Sequence, residues 1–125
     1  SMSPAVVLDA QGKLVLVTGS MGGSTIIASV SRSIIGVLDW GLHPQDALAT
    51  PAVFARTAEI GIEGERMPAA LREALRQLGW DLREAALLSG THVIQVTPEG
   101  LRGGADPRLE GVARKLELPG ASAGD

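Results

Sequence analysis

At 125 residues, with a formal net charge of −3 and no cysteine, the chain has the length of one ordinary domain and cannot contain a disulfide, a thiol nucleophile or a cysteine-type zinc site. Hydrophobic residues make up 45% of it, enough to fill a core, but aromatics only 2%, so there is no stacking platform for nucleic-acid bases. A pI of about 5.3 also lacks the clustered Lys and Arg that phosphate neutralisation requires, so no nucleic-acid partner is expected.

In chain order, Ser3-Pro4 leads into an apolar run at 5–8, the turn Asp9-Ala10-Gln11-Gly12, and a second apolar run at 14–18. Two short strands around a glycine-containing turn predict a β-hairpin, and their continuous hydrophobicity predicts a sheet buried on both faces. After Gly19-Ser20-Met21-Gly22-Gly23-Ser24, the residues Ile26, Ile27, Val30, Ile34, Val37 and Leu38 recur at helical spacing over 25–39. Ser20 or Ser24 is available to cap this helix and Gly41 to stop it. Ser29, Ser31, Arg32 and Ser33 are expected mostly on its other faces, in packing or solvent positions.

Pro44 and Asp46 predict a short second helix ended by Thr50-Pro51, with His43 before it as a cap or surface residue. Residues 59–63 alternate as a half-exposed strand. The run 68–78 carries Leu71, Leu75 and Leu78 on one face, a third amphipathic helix closed by Gly79. Residues 80–86 and 91–96 read as strands, and Thr97-Pro98-Glu99-Gly100 turns the chain into a last one at 101–104. His92 has no second ligand beside it, so neither a metal nor a cofactor is expected. Asp106-Pro107-Arg108 reads as a turn.

This order predicts an α/β (α+β) fold with helices on a mostly antiparallel sheet, a domain over residues 1–115, and a mobile tail over 116–125. No apolar run approaches the roughly 20 residues of a membrane-spanning helix. The N-terminus lacks the layout of a signal peptide, and cysteine usage leaves localisation open.

Chemistry is concentrated at residues 19–24, where a strand-like run meets a helix-like one. A glycine pair opening a helix brings backbone N–H groups close to an anion, with the positive end of the helix behind them. The P-loop motif fails because Ser24 follows Gly23 and no lysine lies between Lys13 and Lys115. The dinucleotide fingerprint has no second glycine at the required spacing, and a nucleophile elbow on Ser20 would have Thr18 at its first glycine. What survives is an oxyanion-holding turn for acyl transfer, beside the bland alternative of a tight turn that binds nothing.

Three stretches in order, Ser1-Met2-Ser3-Pro4, then Val15-Leu16-Val17-Thr18-Gly19-Ser20-Met21-Gly22-Gly23-Ser24, then Gly103-Gly104-Ala105-Asp106-Pro107-Arg108, resemble the C-terminal part of the small subunit of γ-glutamyltranspeptidases. Val37-Leu38-Asp39-Trp40-Gly41-Leu42 and Thr50-Pro51 extend the likeness. It departs at Thr25, where the family's Gly-Gly-Ser-Arg has arginine, and at Pro51-Ala52-Val53-Phe54-Ala55, where the family has Pro-Arg-Phe-His-His.

The resemblance implies part of a layered αββα N-terminal-nucleophile hydrolase sandwich that cleaves itself and acts on glutathione-like γ-glutamyl amides. Gly22 and Gly23 would form the oxyanion hole through their amides, and Ser1 would bind the α-carboxylate of the glutamyl group. The nucleophilic threonine would lie upstream of Ser1, so this chain alone would be inactive. Its partners would be the large subunit and the upstream part of the small subunit, with a periplasmic or secreted location. Cephalosporin or glutaryl acylases on the same scaffold, and a non-catalytic association module or fragment, are the alternatives. Ser1 as an N-terminal nucleophile is disfavoured, because the matching family position binds substrate.

Overall fold

The computed structural model describes residues 3–55 and 59–116. In chain order these form β1 (Ala5–Leu8), β2 (Leu14–Gly19), a single 3-10 turn (Gly23–Thr25), α1 (Ile26–Leu38), α2 (Pro44–Ala49), β3 (Val53–Ala55), β4 (Ile60–Ile62), α3 (Ala69–Gln77), β5 (Leu82–Glu84), β6 (His92–Thr97) and β7 (Gly100–Ala105). The predicted tail lies, beyond Leu116, outside the described residues.

Strands β1, β2, β6 and β7 make an antiparallel sheet in the order β1-β2-β6-β7. The β1-β2 turn is set by Asp9, whose Oδ1 accepts from the amides of Gln11 (2.9 Å) and Lys13 (2.8 Å). The pairing joins residues 73 to 79 positions apart into the centre of the sheet: Leu16 lies opposite Gln95, Thr18 opposite Val93 and Gly19 opposite His92. A second, smaller sheet runs β3-β4-β5, with β4 and β5 parallel. Strand β3 had no counterpart in the sequence reading. At three residues after a proline it is too short to show a periodicity, and it is created by pairing with β4.

Helices α1 and α2 cover one face of the four-stranded sheet, and Leu16, Val37, Ala47, Leu48 and Val93 form the core between them. His43 caps α2 as predicted, its Nδ1 accepting from the Gln45 amide at 3.2 Å. The buried stripe of α1 differs from the expected one. It consists of Ile26, Ser29, Val30, Ser33, Gly36 and Val37, while Ile27 is 74% exposed. Small residues let α1 approach closely: a Cβ on Gly36 would come 2.8 Å from that of Ala47. They also let hydroxyls pair across the contact, Thr18 Oγ1 with Ser33 Oγ at 2.9 Å.

The expectation of a sheet buried on both faces is corrected. Val6, Val17 and Ile94 are cross-strand neighbours on the face away from α1, and within this chain Val6 is 62% and Ile94 49% exposed. The apolar stripe of α3 is likewise uncovered, with no buried residue on that helix.

Candidate functional site

Strand β2 ends at Gly19 and delivers the chain to the predicted glycine turn. Gly22 has φ +123° and Gly23 φ +62°, values that L side chains rarely adopt. A Cβ on Gly22 would run into the Leu88 carbonyl oxygen, whereas one on Gly23 would meet open space. The carbonyl of Gly22 accepts from Thr25 Oγ1 (2.9 Å) and the Thr25 amide (3.4 Å). Among the described residues no acceptor engages the Gly22 or Gly23 amide. Two free N–H groups therefore stand at the N-terminal end of α1, where the helix dipole favours negative charge.

The expected cap by Ser20 or Ser24 is absent, since no side chain caps either helical segment here. Ser20 instead turns inward. Its Oγ donates to the Met21 carbonyl (2.9 Å) and accepts from Thr91 Oγ1 (2.9 Å). Thr91 shares a hydrogen bond with Ser89 Oγ (2.9 Å), which lies 3.3 Å from Ser29 Oγ. Both Ser89 and Thr91 have no exposed surface. Every polar group in this cluster has a partner, as buried hydroxyls require. Beside the turn, Pro4, Val17, Gly19, Met21, His92 and Ile94 line an apolar cleft of about 580 Å³.

The hydroxyl cluster rests on a buried ion network. Asp106 Oδ1 accepts from the Arg108 amide and Nη1, both at 3.0 Å, and Asp106 Oδ2 from the Thr91 amide at 3.4 Å. Arg108 spans to Glu63 through Nε (2.6 Å) and Nη2, and to the carbonyls of Leu48 (2.8 Å) and Thr50 (2.9 Å). Burial alone would raise the Glu63 pKa, but hydrogen bonds from Arg108 and the Ala52 amide hold it below the ordinary carboxylate value. Asp106 behaves alike: burial pushes it up, and hydrogen bonds from the Arg108 amide, Ser89 and the Arg108 side chain bring it below normal. For Arg108 burial works downward and is outweighed by Glu63 and Asp106, which raise its pKa.

Of the predicted site residues, Gly22 and Gly23 stand together at the turn, while Ser1 lies outside the described residues. Asp106-Pro107-Arg108 is the turn its residues predict, and Arg108 ties it to Glu63, 45 positions away, a link that no local pattern shows. The alternation over 59–63 predicts Glu63 on the open side of a half-exposed strand, whereas it is buried against Arg108. The hydroxyl cluster was missed altogether, because Ser20 and Thr91 are 71 residues apart and no local pattern joins them.

The helices on mostly antiparallel sheets are those of the N-terminal-nucleophile hydrolases. An acivicin-inhibited gamma-glutamyltranspeptidase superposes with a TM-score of 0.78 at 34% identity, over 89% of this chain and 62% of that one. The gamma-glutamyltranspeptidase of Pseudomonas nitroreducens does so with a TM-score of 0.80 at 26% identity, over 94% and 63%. The glutathione hydrolase proenzyme of Escherichia coli is 35% identical over 111 residues, which is 86% of this chain and 19% of that protein. The Gamma-glutamyltranspeptidase family model matches residues 1–116, and the chain belongs to that family. It spans about one fifth of the length of the Escherichia coli relative.

Proposed function

We propose that this chain is the oxyanion-holding part of a γ-glutamyl acyltransferase or hydrolase acting on glutathione-like amides. A threonine outside the chain attacks the γ-carbonyl carbon. The carbonyl π electrons move onto oxygen, and the resulting oxyanion is held by the Gly22 and Gly23 amides. Collapse breaks the C–N bond and releases the amine with a proton, leaving a γ-glutamyl ester that water or an acceptor amine then cleaves. Ser1 binds the substrate α-carboxylate.

The observation that carries this reading is the pair of amides at Gly22 and Gly23, without an acceptor among the described residues and placed just before the N-terminus of α1. A tight turn with only a structural task has no need of two unpaired donors at adjacent glycines. The apolar row Val6, Val17 and Ile94 is the face on which the upstream part of the small subunit and the large subunit pack.

The test is amide hydrolysis by the full-length protein, with γ-glutamyl and glutaryl anilides compared at equal concentration. Preferential turnover of the γ-glutamyl compound is expected. Preference for the glutaryl compound assigns the scaffold to acylase chemistry, and no turnover of either leaves an association module.

A further inference from the structure

We infer that the hydroxyls of Ser20 and Thr25 are positioning groups that aim the two oxyanion-binding amides, with Thr91 holding Ser20 in place. The inference rests on the proposed role of Gly22 and Gly23 and goes beyond it to the groups that make those amides usable.

The reasoning starts from the planarity of the peptide bond. In a trans peptide the C=O and the following N–H point in opposite directions within one rigid plane, so fixing the carbonyl fixes the N–H. The carbonyl sharing a plane with the Gly22 N–H is that of Met21, and Ser20 Oγ donates to it at 2.9 Å. The carbonyl sharing a plane with the Gly23 N–H is that of Gly22, and Thr25 Oγ1 donates to it at 2.9 Å. Each donor amide is thus oriented by one side-chain hydroxyl on the far side of its own peptide unit.

Such orientation is needed here because glycine populates positive and negative φ alike, so two successive glycines hold one peptide orientation only where their surroundings fix it. Each hydroxyl also polarises the peptide it touches, which strengthens the opposing N–H as a donor.

Thr91 completes the device. Its hydroxyl donates to Ser20 Oγ at 2.9 Å, occupying an acceptor site of Ser20 and leaving the Ser20 proton for the Met21 carbonyl. Ser20 is 8% exposed and Thr91 is fully buried, so water does not substitute for either contact.

The experiment measures steady-state hydrolysis of a γ-glutamyl anilide by the full-length protein carrying Ser20→Ala, Thr25→Val, Thr25→Ser or Thr91→Val, with Tm recorded for each. Thr25→Val and Ser20→Ala are expected to lower kcat about tenfold or more while KM changes less than twofold, because an oxyanion donor acts in the transition state. Thr25→Ser, which keeps the hydroxyl, is expected to retain most of the wild-type kcat. Thr91→Val is expected to follow Ser20→Ala.

If the wild type turns over and Thr25→Val keeps its kcat, with or without a lower Tm, the positioning role is overturned and the oxyanion reading stands. Equal loss in Thr25→Val and Thr25→Ser also overturns it, since the hydroxyl is then not the relevant group. If Ser20→Ala or Thr91→Val does not fold, the Thr25 pair decides alone. A wild type without activity overturns the reading on which the inference rests, and the inference with it.

Discussion

Gly22→Val in the full-length protein lowers kcat on a γ-glutamyl anilide by about 100-fold or more, in line with the roughly 3 kcal/mol lost with one oxyanion donor. Two independent features force this result. A valine is strained at φ +123°, and its Cβ would come within 2.3 Å of the Leu88 carbonyl oxygen. The peptide must therefore move and take the Gly22 N–H with it. Gly23→Ala is the contrasting substitution: φ +62° is a left-handed conformation that costs alanine about 1–2 kcal/mol, but the methyl meets open space and the amide can stay. A smaller loss is expected there. Rates are compared per folded molecule, with circular dichroism confirming the fold, and a folded Gly22→Val protein with kcat within twofold of wild type removes the Gly22 amide from the reaction.

Arg108→Leu destabilises the protein by about 3–5 kcal/mol, the cost of stripping a buried ion network of the cation that pairs with both carboxylates. Arg108 is 4% exposed at its side chain, Glu63 9% and Asp106 1%. Without the guanidinium, both carboxylates remain buried without their hydrogen-bonded cation, and Arg32, which acts on them only through its charge while its Nη1 donates to the Thr50 carbonyl, does not replace those hydrogen bonds. Arg108→Lys recovers only part of the loss, because a single ammonium cannot reach Glu63, Asp106 and the carbonyls of Leu48 and Thr50 together.

The same network sets a pH dependence. Glu63 and Asp106 have folded pKa values below their unfolded ones, so their contribution is complete above the unfolded values of about 4 and is lost as pH falls through the lower folded values. Thermal stability of the wild type is therefore expected to fall between about pH 5 and the acid limit, with a flatter profile in Arg108→Leu. Chemical denaturation at pH 7 and Tm as a function of pH check both statements. A variant within 1 kcal/mol of wild type would mean that the network contributes little.

Local signals made much of this fold legible. The hairpin, α1, α2, α3 and the central strands follow from apolar runs, helical spacing and the Gly and Pro that punctuate them. So does the glycine turn, where the change from strand to helix coincides with Gly22 and Gly23. What escaped has a common physical cause, which is that its partners are distant in sequence. Ser29 and Ser33 carry no apolar signal, yet they lie on the buried stripe of α1, where Ser89 meets Ser29 and Thr18 meets Ser33 across the core. Glu63 looks like the polar half of an alternating strand until Arg108 arrives from 45 residues away. The exposed face of the four-stranded sheet is the converse: continuous hydrophobicity predicts burial on both faces, but among the described residues no element covers that face.

The most direct test of the central claim is intact-mass and peptide mapping of the full-length protein, quenched during turnover of a γ-glutamyl amide. The expected result is one γ-glutamyl adduct, on a threonine that lies upstream of Ser1 in the complete sequence, with residues 1–125 unmodified. An adduct on any residue of this chain, Ser1 included, or turnover that proceeds without an adduct, would contradict it.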